Sequence, residues 1–428
     1  MLTTPRLRHC RRAAGRGFTL IEMLLSLTIT VVVMTGVLTL FQLSGRLARN
    51  QNQLADLQQN MRVALYDTQR YARMAGRGGL PTFLPPVGAY TGQMIPNGVS
   101  ITVGNNVLDG TRIGDATTPP VLAGTDTLTV RGVLFGSVYQ SEVSVPDFTS
   151  GTLSVGRLSR MGVEQDLSVL AEAVTNANAG NPEALVVVSP LGSNLYAVVE
   201  LTSGFVEDEM IAGVNEFKRV TMNFVISGGT HQSAHYLRLM PGGAFPTQMT
   251  SAAYVGVLEE YRYYVREAHA DPSDPTSRLV PRLSRARFYP GSNAQHVSNP
   301  SAAEDIADNV WDLQIALGVD ADGDGVVNEG TTPAAMALDE WLFNDAKDVL
   351  DDPAAPATWI WNSGQLELMR ITALVRTDRR DMKYVSPAID FIEDRVYNEL
   401  ATPAGNDELN ERRYRRRRIR STIDFRNL

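Results

Sequence analysis

The chain has 428 residues, 43% of them hydrophobic and 20% charged, with a formal net charge of −8. This composition belongs to a folded protein with one large or two ordinary domains, and it excludes a disordered chain. The single cysteine, Cys10, excludes an internal disulfide, a cysteine nucleophile or a thiolate metal site in the body that follows it.

The first 17 residues hold five arginines (Arg6, Arg8, Arg11, Arg12, Arg16) and no acid. The body beyond them is therefore more acidic than the whole chain, which makes nucleic acid a poor partner. Residues 18–43 are apolar except for one carboxylate, Glu22. At 1.5 Å per residue they are long enough to cross a hydrocarbon core of about 30 Å. Basic residues before the segment and few after it place the N-terminus in the cytoplasm and the bulk outside. A secretory signal peptide has a shorter apolar core with a small-residue cleavage site behind it. Here the small residue, Gly17, comes first. An ordinary signal anchor accounts for the arginines and the length but not for the order Gly17-Phe18-Thr19-Leu20-Ile21-Glu22.

That order resembles the class III signal of type IV prepilins and of type II secretion pseudopilins. The resemblance implies cleavage between Gly17 and Phe18 by a prepilin peptidase that also methylates the new amine of Phe18. A carboxylate in a membrane-length segment is expensive and marks a function. Glu22 is expected to neutralise the Phe18 amine of a neighbouring subunit, each group offsetting the other's desolvation. The alternative is that Glu22 only reaches back to the membrane interface.

Residues 44–76 carry an apolar stripe at Leu43, Leu47, Leu54, Leu57, Met61, Leu65 and Ala72, with no proline. This is an amphipathic helix continuous with the membrane segment. It is expected to end where Gly76, Gly78, Gly79 and Pro81 cluster. Its last turns, Arg62-Val63-Ala64-Leu65 and Arg73-Met74-Ala75-Gly76, resemble the helix end of PilW-type minor pilins. Residues 77–120 read as a loop-rich linker with one short strand candidate at 99–103. The head, 121–428, shows strand signals at 126–133, 184–189, 195–201, 219–226, 234–239, 254–266, 279–289 and 366–376. Residues 305–319 start as a short amphipathic turn and pass into a strand. Many short strands without periodic helices between them predict antiparallel sheet. The expected fold class is α+β and pilin-like: a long N-terminal helix on a large antiparallel β-rich head.

The sharpest chemical signal in the head is the loop 320–328. Asp320, Asp322 and Asp324 occupy positions 1, 3 and 5, followed by Gly325, a backbone carbonyl at Val326 and Asn328 at position 9. The spacing matches a Ca²⁺ loop. It departs from an EF-hand at position 12, where Thr331 replaces the bidentate glutamate. Glu329, Asp339 and Glu340 are the candidates to supply the missing oxygens. The rival reading is a plain acidic turn. Mg²⁺ fits a set this large and flexible less well.

His231 and His235 are four residues apart, but the glycines before them and the strand pattern after them argue against a helical metal pair. No nucleophile-base order, HExxH or phosphate loop stands out. Six arginines between Arg412 and Arg418 read as a solvated strand facing an acidic body rather than as a lipid or nucleic-acid site. Tyr414 to Arg417, Ser421-Thr422 and Arg426-Asn427 resemble the close of PilW-type chains. The resemblance implies a non-enzymatic minor pilin, single-pass in the inner membrane with its head outside, that primes or caps a type IV pilus at the cell surface. The implied partners are the peptidase/N-methyltransferase, other minor and major pilins and the inner-membrane assembly platform. A pseudopilin of a type II secretion system shares the helix and leader. A bitopic envelope protein that binds a ligand and never polymerises is the rival from another class.

Overall fold

The computed structural model of the protein describes residues 19–81, 100–114, 120–142, 151–188, 196–211, 214–224, 252–298, 303–320, 324–328, 340–344, 366–403 and 405–425. Contacts divide the chain into two compact units, Met1–Asp56 and Leu57–Leu428.

The first long element is helix α1, Leu20–Ala72. It contains no proline, and alanine, leucine, arginine and glutamine fill most of its second half, all strong helix formers. Gly76 ends the turn that follows, at φ 74°, and donates its N–H to Arg131 O at 2.9 Å. Gly78, at φ 101°, sits so close to the head that a Cβ there would lie 2.5 Å from Val133 Cγ2. Both the backbone sign and the space exclude a side chain at Gly78.

In chain order the head then forms β1 (Ile101–Gly104), β2 (Thr127–Gly132), β3 (Tyr139–Gln140), β4 (Thr152–Gly156), helix α2 (Ser168–Asn178), β5 (Glu183–Val188), β6 (Tyr196–Ile211), β7 (Val214–Phe224), β8 (Tyr254–Val257), β9 (Glu259–His269), β10 (Leu279–Phe288), β11 (Glu304–Asp308), β12 (Val310–Val319), β13 (Trp341–Leu342), β14 (Leu366–Arg376), β15 (Phe391–Ile392), β16 (Arg395–Val396), helix α3 (Asn406–Arg412) and β17 (Arg416–Asp424). The strands form a five-stranded sheet, β1-β2-β9-β10-β11, a four-stranded sheet, β13-β12-β14-β17, a six-stranded sheet, β3-β8-β5-β6-β7-β4, and the β15–β16 hairpin. All the paired strands run antiparallel. The fold class is therefore the expected one, a long N-terminal helix followed by a large antiparallel β-rich head.

Two large cores hold the head, beside a smaller cluster around Tyr264 and Phe288. One joins Leu57, Met61, Ala64, Leu65, Tyr71 and Ala72 of α1 to the inner faces of the five- and four-stranded sheets. The other lies between α2 and the six-stranded sheet. Central strand β5 is buried along nearly its whole length, which explains its unbroken apolar run Ala184-Leu185-Val186-Val187-Val188.

Several elements differ from the sequence reading. The run 254–266, expected as one strand, is two: the chain leaves the six-stranded sheet after β8 and enters the five-stranded sheet at β9. Leu258 between them is buried and gives its N–H to Ala184 O. Local pattern cannot reveal the break, because both strands bury apolar side chains. Residues 304–308 form strand β11 instead of an amphipathic turn, and Asn309 at φ 61° makes the tight link into β12. Helix α2 was not anticipated, although Leu170, Ala171, Ala173, Val174 and Ala177 bury one helical face. The short strand candidate at 99–103 is β1, as expected, but the stretch around it is less of a free linker than its composition suggests, since Ile101, Val103 and Val107 are buried. The strand expected at 234–239 lies outside the described residues.

Candidate functional site

Gly17 and Phe18, the expected processing residues, lie outside the described residues. The structure begins at Thr19, which caps α1. Thr19 donates from both its N–H (3.0 Å) and its hydroxyl (2.9 Å) to Glu22 Oε2, and Glu22 N–H donates back to Thr19 Oγ1 at 3.3 Å. This is a reciprocal capping box, and it satisfies donors that a helix start otherwise leaves bare. The Thr-x-x-Glu spacing is visible in the sequence, but neither role expected there for Glu22, amine partner or interface contact, is a cap. In the single chain its carboxylate already has a local task, and it stays exposed.

The apolar half of α1 contains a window of mean hydropathy 2.3, with no residue buried. It is long and apolar enough to cross a membrane. Its hydroxyls are turned inward on the helix itself. Ser26, Thr28, Thr30, Thr35 and Thr39 each donate to a carbonyl three or four residues back, at 2.7–3.1 Å. A hydroxyl bonded this way presents little unsatisfied polarity to an apolar surrounding.

The head-bound part of α1 is held by specific polar contacts as well as by the core. Asp67 accepts from Tyr263 Oη at 2.7 Å and from Arg285 Nη1 at 3.0 Å. The Arg285 guanidinium lies 4.4 Å from the centre of the Tyr71 ring. Tyr71 also packs on Tyr261 at 4.9 Å. Burial, chiefly, pushes the Tyr71 hydroxyl up to about 12, so it stays neutral. Asn60 Nδ2 donates to Asp308 O at 3.0 Å, and Gln69 Nε2 donates to Ser421 Oγ. These contacts fix the rotation of the helix against β9, β10 and β17. None of these pairings was legible in sequence, because each joins residues 190 or more positions apart.

In the acidic loop, Asp320, Asp324, Val326 and Asn328 are described, whereas Asp322, Thr331, Glu329 and Asp339 are not. Gly325, at φ 81°, makes the reversal and donates its N–H to Asp320 Oδ2 at 2.8 Å. Val326 N–H donates to Asp324 Oδ1 at 2.8 Å. Glu340, one of the candidate extra ligands, folds back onto the loop. Its Oε2 accepts from Asn328 N at 2.8 Å and from Asn328 Nδ2 at 3.2 Å. Val319 N–H donates to Glu340 O, and Glu340 N–H to Asn328 O. The loop is thus closed at its base by Glu340 beside β12 and β13. Among the described residues, no three His, Cys, Asp or Glu side chains group closely enough to hold a metal.

The acids that the sequence could not sort are mostly structural. Asp312, fully buried, accepts from Arg395 Nη1 at 2.7 Å, from Gln314 Nε2 at 2.9 Å and from Tyr397 Oη. Burial pushes its carboxyl up, and Arg395 opposes that. Glu393 sits at the β15–β16 turn at φ 47°. It accepts from Arg370 Nε (3.0 Å) and Nη2 (2.7 Å), from Thr372 Oγ1, and pairs with Arg420 at 2.9 Å. These bonds pin the small hairpin to β12, β14 and β17. His231 and His235 lie outside the described residues.

Residues 12–38 match the family model described as the prokaryotic N-terminal methylation motif. No curated protein and no solved structure matches the chain. The matched segment contains the leader arginines Arg12 and Arg16, the Gly17-Phe18 junction and the capped start of α1. The motif implies processing by a prepilin peptidase and assembly with other pilins, and with the apolar helix it supports a membrane-anchored protein of the type IV pilin or pseudopilin kind.

Proposed function

We propose that this protein is a PilW-like minor pilin whose head stands outside the inner membrane and whose role is to prime or cap a type IV pilus. The observation that carries the reading is the methylation motif at residues 12–38, set directly before a capped apolar helix. The helix ends, Arg62 to Leu65 and Arg73 to Gly76, and the arginine-rich tail support the PilW type. A head of this size suits a tip position, since bulk is hard to repeat along a shaft. Glu22 would trade its Thr19 cap for the Phe18 amine of a neighbour during assembly. The exchange costs little, because Thr19 is left at an N-terminus where water or the next subunit's groups can take its donors.

Mass spectrometry of the mature N-terminus tests the first step. The expected product begins at N-methyl-Phe18, and Gly17→Leu is expected to leave the leader attached. A mature chain that keeps residues 1–17 overturns the pilin reading and favours the bitopic rival. Recovery of the protein in sheared filaments supports the pilus; recovery only with a type II secretion complex replaces the pilus by a pseudopilin role.

We also propose that loop 320–328 binds Ca²⁺ through Asp320, Asp322, Asp324, the Val326 carbonyl and Asn328. The spacing and the Gly325 reversal support it. Calcium is expected to raise the melting temperature in chelator-treated protein, and Asp324→Asn is expected to remove most of that rise. No rise in the wild type, or an equal rise in the variant, rejects the site.

A further inference from the structure

A cavity of about 360 Å³ opens beside helix α2, lined by residues of α2, β5, β8, β9 and β10 and by Phe135. This is at the small end of ligand pockets. Two carboxylates on its wall, Glu183 and Glu259, are almost completely buried, with side chains 2% and 1% exposed. A third, Glu172, stands exposed on α2. One guanidinium, Arg287, lines the same space.

Each of the two buried carboxylates keeps hydrogen-bonding capacity to spare. Glu183 Oε1 accepts from Asn176 Nδ2 at 2.9 Å and faces His296 Nε2 at 2.8 Å. His296 Nδ1 in turn meets Ser298 Oγ at 2.7 Å and Ser298 N at 3.1 Å. Among the described residues, Glu183 Oε2 accepts no hydrogen bond. Glu259 Oε2 accepts from the N–H groups of Leu134 (3.0 Å) and Phe135 (2.7 Å). Its other oxygen meets Arg287 only at 3.4 Å, well beyond the 2.7–2.9 Å of a strong charged pair. Burial, above all, pushes the Glu259 carboxyl up, with Arg287 opposing it.

The remaining wall is apolar and aromatic: Val169, Ala173, Val257, Tyr261 and Phe135. Phe135 is 56% exposed although it packs on Tyr261 at 5.8 Å. A large aromatic left half in water over an acidic cavity is the face a cation seeks. A cation with a short alkyl body would satisfy the free oxygen of Glu183, share the charge of Glu259 and rest on the ring faces. An anion would meet three carboxylates, and a neutral apolar ligand would leave Glu183 desolvated and unpaired.

We propose that this cavity is a binding site for an alkylammonium or alkylguanidinium group, either a lysine or arginine side chain of a neighbouring protein or a free organic amine. The test uses the full-length mature protein in detergent micelles and isothermal titration with N-acetyl-lysine methylamide. The neutral control is N-acetyl-norleucine methylamide, and cadaverine represents the free amine. The lysine amide is expected to bind at least tenfold tighter than the norleucine amide, and more weakly as salt rises. Glu259→Gln and Glu183→Gln are each expected to weaken it at least tenfold. Glu172→Gln, exposed and safe for folding, is expected to weaken it a few-fold. Tighter binding of cadaverine than of the lysine amide assigns the site to free amines, and the reverse assigns it to a protein side chain. Equal binding of the lysine and norleucine amides overturns the proposal. So does unchanged affinity in a folded Glu259→Gln or Glu183→Gln variant.

Discussion

Helix α1 carries two surfaces made by different rules. Over residues 20–43 the apolar side chains point to every side and all are exposed in the single chain. Over residues 57–72 one stripe is buried, and the polar residues around it hold named partners. The first surface needs only to be apolar all round, because its surroundings are isotropic. The second must match one set of strands, so its residues are specified one by one. Substitutions in the two stretches should therefore cost very different amounts.

The largest effect is expected at Tyr71, 2% exposed and packed on Tyr261 and Arg285. Tyr71→Ala should cost about 3–5 kcal/mol in chemical denaturation of the head. Asp67→Ala should cost less, about 1–3 kcal/mol, by removing the carboxylate that accepts from Tyr263 and leaving Arg285 with Glu304 as its remaining acid partner. An Asp67→Ala variant as stable as wild type would mean that the helix is seated by apolar contact alone.

A third expectation concerns acid. Burial alone would raise the Asp305 carboxyl, but hydrogen bonds from Ser284, Arg282 and Arg266 hold it below the usual range. Its contribution is complete above the unfolded value of about 3.9 and disappears as pH falls through the lower folded value. The melting temperature of the head should drop in that window, and Asp305→Asn should flatten the drop. A variant with the wild-type acid profile would remove Asp305 from the account.

The smallest effects are expected in the first stretch. Thr19→Ala should cost about 1 kcal/mol of local helix stability. It should speed amide exchange over the first turn in micelles and leave the head's unfolding unchanged. Leu38→Ala should shift the head's unfolding by no more than about 0.5 kcal/mol. A larger shift would show that the two stretches are not energetically separate.

The same contrast governs what could be read from the sequence. The isotropic stretch is written locally, so its length and its motif were legible. Even there the Thr19–Glu22 box was overlooked, because one carboxylate can serve two partners. In the head, strands rich in Val and Ile announced themselves, but the sheet change at Leu258 did not, since burial on both sides looks alike. Glu340 is one of three candidates to supply the missing oxygens of the acidic loop, and the pairing of its backbone with Val319 and Asn328 could not be read from the sequence; the other two lie outside the described residues. Helix α2 lies between two strand signals, and its buried face is too short and too rich in small residues to show a clear helical period.

The core that seats α1 gathers Leu57 from near the start of the chain and Ile423 and Phe425 from its very end. Strand β17 pairs with β14 along nine positions and is an edge of its sheet. Contacts of such separation form slowly, because the loop between them must be closed first. During synthesis the helix is complete some 340 residues before its last covering strand exists. The core around the buried stripe of α1 is therefore completed only when the last strand is made, although Tyr71 packs on Tyr261 from a much earlier one. A chain that stops short of Arg416 lacks Ile423 and Phe425 in that core. Such a product would present Ile371 and Met369 along an open β14 edge, a template for wrong pairing between chains.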